Sequence, residues 1–493
     1  MWILRVVECA LADAKWQWPD PESLGLVVQK VVYAPNVESN SLLAKVGHYN
    51  PCSHWNNPCC LMHHPRIYNS VMSLKKILVL LIVILAGCSG EDGPRPGEPT
   101  TVVLWEFGGV PGLRDWVQVA VEEFNTSRSD IQIELEFRDW ATQRESLIST
   151  TIVGDGPDVV RVHHKYSVEF GELGGLYPLQ GFPDFPQVKE RVLDNVWELV
   201  EYDGKHYGLP VTMLPLILAI NTEIMGNKGL SVPETWEEML ALGPAFAGSG
   251  VELFTMPGGV NLDTAYRFLP LLYKAGGRVF NDDWTKAAFN GPAGLAALEF
   301  LMTMKNQGYM PPGGAAYAFD ENAAHWSTGR AALSIEGPWW QDIVHGNYEF
   351  DLNNLSLAQV PRPTEHIGPH ESRTLLDVIM VSITGYSKVP DEAWEVIKAL
   401  YLDHPVWRQP NPIMGGIPTL QAAYAEGVQS DYIDLHQLAE AGANGLGWPG
   451  HPAVTQVQRY IADAVNMALT GTMTPKEALD FAAEEVNEVL LDY

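Results

Sequence analysis

The chain has 493 residues and a formal net charge of −29, from 31 Lys and Arg against 60 Asp and Glu. Such an acidic surface repels nucleic-acid phosphates and anionic lipid headgroups, which argues against a nucleic-acid-binding function. The length is sufficient for two domains that each have a core of their own.

A segment at residues 72–88 has the pattern of an export signal. Lys75 and Lys76 precede the apolar run 77–85, and Ala86-Gly87-Cys88 follows it. A basic start, an apolar run and a small-residue cleavage point are typical of a secretory signal peptide. The end of the run also resembles the lipobox of bacterial lipoproteins, in which the cysteine becomes the lipid-modified N-terminus. The stretch is shorter than the roughly 20 apolar residues of a transmembrane helix. We therefore predict a signal peptide over 72–87 and a membrane anchor at Cys88.

Residues 1–71 lie upstream of this signal and carry four of the five cysteines. They show no sustained helical or strand periodicity, and we expect a disordered, non-native extension, with translation starting at Met72. A metal site at Cys59-Cys60 and His63-His64 is disfavoured, because adjacent pairs do not match the usual zinc spacing. Export would leave 24 basic and 55 acidic residues, a net charge of −31, and no cysteine beyond Cys88. We expect neither a metal nor a cofactor. We also predict a polar linker over residues 88–100.

The next part of the chain alternates strand and helix patterns. We predict a strand at 101–105, an amphipathic helix that includes Trp116 and Phe124, and a half-buried strand at 131–137. A helix through Leu147 and a strand at 158–162 follow. Strand–helix alternation of this kind predicts a parallel sheet that is covered on both faces.

The later elements are less regular. Residues 209–220 are apolar but contain two prolines, which favours a segment that crosses between domains. Other patterns predict a strand at 331–335, a turn at 336–340, and helices at 235–242, 291–305, 391–401 and 456–469.

A family resemblance depends on six motifs and on their order along the chain. The motifs lie at residues 154–160, 173–179, 202–210, 233–238, 289–293 and 329–339. In this order they resemble the extracytoplasmic solute-binding proteins of bacterial ABC importers, in the branch that contains maltose-binding protein. The resemblance covers about residues 100–485 and implies an α/β, two-lobed periplasmic-binding-protein fold (type II). In such a fold the ligand cleft lies between lobes joined by hinge segments. We expect lobe 1 to comprise 101–211 and about 362–384, and lobe 2 to comprise about 212–361 and 385–493.

Three motif residues also have local structural interpretations. The carboxylate of Asp158 can accept from free backbone amides at a turn. Gly204 can adopt the positive φ of a hairpin turn. Trp236 is expected to pack its helix onto a lobe and not to contact ligand.

The resemblance implies a monomeric, non-enzymatic protein that captures a solute and delivers it to an ABC permease. Twelve of the 16 tryptophans follow Cys88, which favours a sugar, because the C–H face of a sugar stacks on an aromatic ring. The candidate aromatic contacts are Trp105, Trp140, Tyr266, Trp339, Trp340 and Trp448. Trp339 is the strongest, since it lies in the family's Gly-Pro-Trp turn.

The candidate polar contacts are Glu106, Arg161, Lys165 and Asp377. Val162 and Lys165 stand where maltose-binding protein has an aromatic residue and an aspartate, which leaves the identity of the sugar open. His163 and His164 could suggest a metal site. The side chains of neighbouring residues in a strand point to opposite faces of the sheet, however, so the two imidazoles would not meet at one metal ion. A histidine in a loop is the better interpretation.

Three alternatives remain open. The same fold could bind an amino acid, a polyamine, a ferric ion or glycerol phosphate. The protein could be a surface glycosidase that uses paired carboxylates. It could also be a sensory receptor that presents its ligand to a signalling protein.

Overall fold

The computed structural model of the chain describes residues 98–108, 111–408, 415–424 and 435–493. These residues belong to one unit, Asp92–Tyr493. The expected extension, the signal peptide, Cys88 and nearly all of the linker lie outside the described residues. Among the helices that are described, none combines the length and the hydropathy needed to span a bilayer.

The described strands lie in two larger sheets and one hairpin. In chain order they are β1 (Thr100–Phe107), β2 (Ile131–Arg138), β3 (Val159–His163), β4 (Glu201–Tyr202), β5 (Lys205–His206), β6 (Leu209–Pro215), β7 (Ile217–Asn221), β8 (Glu252–Thr255), β9 (Ala331–Glu336), β10 (Leu355–Ala358), β11 (Leu376–Ile383) and β12 (Ile417–Pro418).

The described α-helices cover the faces of these sheets. They are α1 (Pro111–Ser127), α2 (Gln143–Val153), α3 (Tyr166–Glu172), α4 (Phe185–Lys189), α5 (Thr222–Asn227), α6 (Trp236–Leu242), α7 (Leu262–Lys274), α8 (Pro292–Asn306), α9 (Phe319–Ser327), α10 (Trp340–Tyr348), α11 (Pro390–Lys398), α12 (Leu435–Ala443), α13 (Val454–Thr470) and α14 (Pro475–Leu490).

The first lobe is built on a six-stranded sheet with the order β12-β6-β11-β3-β1-β2. Strand β1 pairs in parallel with both β2 and β3, which confirms the parallel arrangement predicted from strand–helix alternation. Strand β11 enters from a distant part of the sequence and lies antiparallel between β3 and β6.

The second lobe is built on a four-stranded sheet with the order β10-β7-β9-β8. Strand β7 runs antiparallel to β9 and β10, while β8 and β9 are parallel. Helix α13 packs against α7 and α14, and α8 packs against both α7 and α14. The apolar faces of these helices form the core of this lobe.

The chain crosses between the two sheets at segments that lie side by side. Strand β6 leads into β7 through Leu216, whose amide donates to the carbonyl of Leu375 at 2.8 Å. The amide of Leu376 donates to the carbonyl of Leu446 at 2.9 Å, and the amide of Leu446 donates to Thr374 at 2.9 Å. The predicted crossing within 209–220 is thereby confirmed, and two further crossings are hydrogen-bonded beside it.

The lobe assignment of residues after 385 differs from the expectation. Helix α11 packs on β1 and β11, and β12 extends the first sheet. Trp394 of α11 stacks on Phe182 of the same lobe at a ring distance of 5.0 Å. The prediction places residues 385–493 in lobe 2, yet those that are described from α11 to α12 contact the first sheet. The apolar face of a helix does not by itself specify which sheet it covers, and this is the origin of the error.

Two of the three local interpretations agree with the structure, and the third differs in its donor. Asp158 accepts from the amide of Val103 at 2.9 Å, which belongs to strand β1 and not to the turn of Asp158. Gly204 has a φ of 69° in the β4–β5 turn. The ring of Trp236 stacks on Phe300 at 4.8 Å and is buried within the second lobe.

Candidate ligand-binding site

A cavity of about 620 Å³ lies between the two sheets and is lined by side chains from both lobes. The first lobe contributes Phe107, Trp140, Gln143, Arg161, His163, Lys165 and Tyr166, and the second contributes Asn261, Asp263, Tyr266, Arg267, Phe319, Trp339 and Gln458. The volume is within the usual range of small-molecule sites, about 300–1,000 Å³.

Aromatic rings form part of both walls. In the first lobe the ring of His163 lies 4.7 Å from Trp140 and 6.2 Å from Tyr166. In the second lobe Tyr266 and Trp339 are tilted against each other at 6.1 Å. Each lobe therefore presents apolar ring surface to whatever occupies the cavity.

A buried ion pair supports the first-lobe wall. Arg161 of β3 lies directly opposite Glu106 of β1, and its guanidinium donates to Glu106 at 2.9 Å. The hydroxyl of Tyr401 donates to the other oxygen of Glu106 at 2.9 Å. Burial raises the pKa of Glu106, and the charge of Arg161 opposes that shift.

The second-lobe wall contains an equivalent pair with more partners. Arg267 of α7 donates to Glu336 at 2.7 Å and to Asp263 at 2.8 Å. Glu336 also accepts from Ser334 and Asn322, each at 2.9 Å. Burial raises the pKa of Glu336, and the charge of Arg267 opposes that shift.

Asp377 lies fully buried close to the crossing segments and joins the two lobes. Its carboxylate is 2.6 Å from the Nδ1 atom of His163 and 2.7 Å from that of His164. It also accepts from the hydroxyl of Tyr266 in the second lobe at 2.6 Å. Burial acts to raise the pKa of Asp377, but the contacts with the two imidazoles hold that pKa well below its usual range.

A second polar contact joins the lobes at Lys165. Its ammonium donates to the side-chain oxygen of Gln458 at 3.0 Å. Burial lowers the pKa of Lys165, which weakens its tendency to carry a charge toward the cavity.

Comparison with known proteins identifies the family. Residues 111–403, more than half of the chain, match the family of bacterial extracellular solute-binding proteins. The chain belongs to this family.

Solved structures of similar proteins have the same two-lobed fold. A solute-binding protein from Thermotoga lettingae with bound α-D-tagatose is 25% identical, with a TM-score of 0.69, and the match covers 79% of this chain and 100% of that one. The GacH receptor of Streptomyces glaucescens, solved with acarbose, is 20% identical with a TM-score of 0.70, over 80% and 99% of the two chains.

Curated relatives of this solute-binding protein differ in their named ligands. The arabinooligosaccharide-binding protein of Bacillus subtilis is 25% identical, over 61% of this chain and 69% of that protein. A Sinorhizobium fredii protein, named as a probable amino-acid ABC transporter periplasmic-binding protein, is 26% identical over 61% and 68%.

Five of the predicted contacts of this solute-binding protein line the cavity. They are Trp140, Arg161, Lys165, Tyr266 and Trp339. The ring of Trp339 packs over Gly337, where a Cβ would collide with it. Their contact with a ligand remains a prediction.

Three predicted tryptophans do not line the cavity. Trp340 is fully buried against Trp326 and Phe319, because α10 begins at this residue and turns it into the lobe. Trp105 is buried beneath the guanidinium of Arg138, at 4.1 Å, and its ring packs on Phe107. Trp448 is buried behind Tyr266 and stacks on it at 6.4 Å. The lining of the cavity therefore does not support the prediction that these three tryptophans contact the ligand.

Two predicted carboxylates also lie behind the wall. Glu106 and Asp377 have no exposed surface and hold Arg161, His163 and Tyr266 in place. They position other residues of the cavity wall and do not line it. Both histidines reach Asp377, because β3 ends at His163 and strand alternation stops there.

The sequence patterns did not identify several polar and aromatic residues of the wall, among them Gln143, Arg267, Phe319 and Gln458. A signal was available for Arg267, since Asp263 and Arg267 have the four-residue spacing of a helical ion pair and follow the N-cap Asn261. The other three have no local pattern that distinguishes them from ordinary helix residues.

Proposed function

We propose that this protein captures a neutral sugar or short oligosaccharide in the cavity between its lobes and delivers it to an ABC-type importer. The observation that carries the proposal is the composition of the cavity wall, in which aromatic rings from both lobes accompany cations that are already paired. The tagatose-bound and arabinooligosaccharide-binding relatives support the same ligand class.

The charges of the wall favour a neutral ligand. Arg161 and Arg267 have buried carboxylate partners, and Lys165 bonds to an amide and has a lowered pKa. An anionic ligand would have to compete with those carboxylates. A polyamine would meet the guanidinium groups of Arg161 and Arg267 as well as the carboxylates of Asp139, Asp263 and Asp320, which line the same cavity. A sugar needs only hydrogen-bond partners and ring surface, and both are available.

The same arrangement argues against the glycosidase alternative. Glycoside hydrolysis needs two carboxyl groups that flank the scissile bond, at roughly 5–10 Å from each other. Glu106, Glu336 and Asp377 are fully buried behind other side chains. Of the carboxylates that line the cavity, Asp263 is paired with Arg267 and Asp139 accepts from the amide of Ala141, while Asp320 is the third. We propose a binding protein without chemistry of its own, monomeric and held outside the cytoplasm by a lipid on Cys88.

Lobe closure would couple capture to delivery. Tyr266 and Asp377, like Lys165 and Gln458, join opposite lobes, and a ligand that touches both walls would favour the arrangement in which these contacts form. An importer that recognises the closed form would then distinguish loaded from unloaded protein.

A thermal-shift and calorimetric panel tests the proposal. The purified chain from Cys88 onward is titrated with maltose, maltotriose, arabinotriose, xylotriose, galacturonic acid, spermidine and glutamate. We expect a neutral sugar to raise the melting temperature and to bind with one-to-one stoichiometry, without turnover. Binding of only the acid, the amine or the amino acid would contradict the proposal, and release of shortened products would favour the glycosidase.

A further inference from the structure

We propose that Gln143 is a specificity-determining residue of the first lobe and that it recognises two neighbouring hydroxyl groups of the bound sugar. This inference rests on the proposed function and deepens it. Gln143 is the first residue of α2, it lines the cavity, and it is 99% buried, with a relative exposure of 1%.

The side-chain amide of Gln143 is unpaired. Neither its oxygen nor its nitrogen has a hydrogen-bond partner among the described residues, although both atoms are buried. A buried amide without partners costs free energy, and proteins retain few such groups unless they have a function. The amide lies at the cavity wall, so a small rotation of the side chain would bring it to a ligand.

A second buried glutamine in the same cavity shows the opposite state. Gln458 is 2% exposed, its oxygen accepts from Lys165 at 3.0 Å, and its nitrogen donates to the carbonyl of Leu262 at 3.1 Å. The amide of Gln458 is therefore satisfied within the protein and holds the lobes together. The unpaired state belongs to Gln143 and is not a general property of glutamines in this wall.

The chemistry of the amide matches a pair of vicinal hydroxyls. A glutamine side chain presents one acceptor oxygen and one donor NH₂ group side by side. Two neighbouring sugar hydroxyls can offer one donor and one acceptor with the same spacing. Trp140, three residues earlier, provides a ring surface in the same wall. A sugar unit stacked on Trp140 would turn its hydroxyl edge toward Gln143.

The test compares matched variants of the full chain from Cys88 onward. Gln143→Met keeps the length of the side chain and removes both hydrogen-bonding groups, and Gln143→Leu is a second variant of the same kind. Maltose, maltotriose, arabinotriose and xylotriose are titrated calorimetrically into the wild type and each variant. We expect both variants to bind the wild-type sugar at least about tenfold more weakly.

The melting temperature of the ligand-free protein separates recognition from support. Gln143→Met should leave it unchanged or raise it, because an unpaired buried amide is removed. Gln458→Met should lower it, because Lys165 loses its partner. A Gln143→Met variant that binds like the wild type, or that loses stability as Gln458→Met does, would overturn the inference.

Deoxy analogues of the bound sugar, each lacking one hydroxyl, identify the contact. At least one analogue should bind the wild type more weakly than the parent sugar and bind Gln143→Met as well as the parent does. If every analogue affects the two proteins equally, Gln143 does not read hydroxyls. The two proposals fail in different ways. If the wild type binds none of the four sugars, the proposed function is contradicted. If the wild type binds a sugar and the Gln143 variants bind it equally well, only the role of Gln143 is contradicted.

Discussion

The two buried arginine–glutamate pairs of the cavity wall have similar geometry and different surroundings. In the first lobe Arg161 has Glu106 as its carboxylate partner among the described residues. In the second lobe Arg267 has both Glu336 and Asp263. Both guanidinium groups keep a buried Nε atom without a hydrogen-bond partner among those residues.

This difference suggests a division of roles between the lobes. Arg267 is held by two carboxylates and packs within 6 Å of the rings of Tyr266, Phe319 and Trp339, so it supports an aromatic surface. Arg161 has fewer partners and shares its wall with the unpaired Gln143. We infer that both lobes stack on the ligand and that the first lobe also supplies an unpaired amide for hydrogen bonding.

The largest expected effect comes from removing the charge of each glutamate. Glu106→Gln leaves Arg161 buried without a carboxylate, and we expect a loss of about 3–5 kcal/mol in unfolding free energy. Glu336→Gln leaves Arg267 with Asp263, and we expect a smaller loss of about 1–3 kcal/mol. Urea unfolding of the ligand-free variants measures both. Equal losses would show that Asp263 does not compensate Arg267.

The next effect concerns the stacking surface of the second lobe. Trp339→Ala should weaken sugar binding by about 2 kcal/mol, roughly 30-fold, because an aromatic anchor is lost. The ligand-free melting temperature should change little, since Trp339 is only partly buried. Calorimetry and thermal shift measure the two quantities.

The adjacent tryptophan is the control for Trp339. Trp340 is fully buried, so Trp340→Phe should lower the melting temperature while the protein still binds sugar. A collapse of ligand-free stability in Trp339→Ala would instead identify Trp339 as a core residue and contradict the site.

Two tyrosines with matching hydrogen bonds test the contact between the lobes. Tyr266→Phe removes a bond to Asp377 that joins the lobes, whereas Tyr401→Phe removes a bond to Glu106 within the first lobe. Bonds to charged groups contribute about 1.5–3 kcal/mol. We expect Tyr266→Phe to weaken sugar binding by about tenfold and to enlarge the ligand-free protein in small-angle scattering.

Tyr401→Phe should lower unfolding free energy without either change, because its bond does not depend on lobe closure. If the two variants weaken binding equally, the Tyr266 bond does not distinguish the open from the closed arrangement. Such a result would also remove the support that this contact gives to a closure mechanism.

The sequence predicted the sheets better than it predicted the cavity wall. Strand β1 follows from a run of β-forming residues, β2 follows from the alternation of apolar and polar residues, and the crossing at Leu216 follows from prolines. All three are local properties of the sequence. Whether Trp339 and Trp340 face the cavity or the core depends on where α10 begins. The identity of the side chain, a tryptophan at both positions, does not reveal this. The pairing of Arg161 with Glu106 depends on strand register over 55 residues, which no local pattern encodes.

The smallest expected effect concerns Asp342, a carboxylic acid of the second lobe. Asp342 of α10 is largely buried, its Oδ2 atom has no hydrogen-bond partner among the described residues, and burial raises its pKa to about 7. Between about pH 4 and pH 7 the folded state therefore keeps a proton that the unfolded state releases, so this group makes unfolding free energy fall as pH rises. Because some solvent reaches the side chain, we expect about 1 kcal/mol over that interval. Asp342→Asn should remove this decline and be more stable than the wild type above pH 7. Glu336→Gln should be less stable than the wild type at that pH, because Arg267 loses a carboxylate partner. Unfolding free energies of the wild type and of Asp342→Asn, measured at pH 4, 5.5 and 7.5, test this prediction. Parallel pH profiles for the two proteins would show that Asp342 has a partner that stabilises its charge.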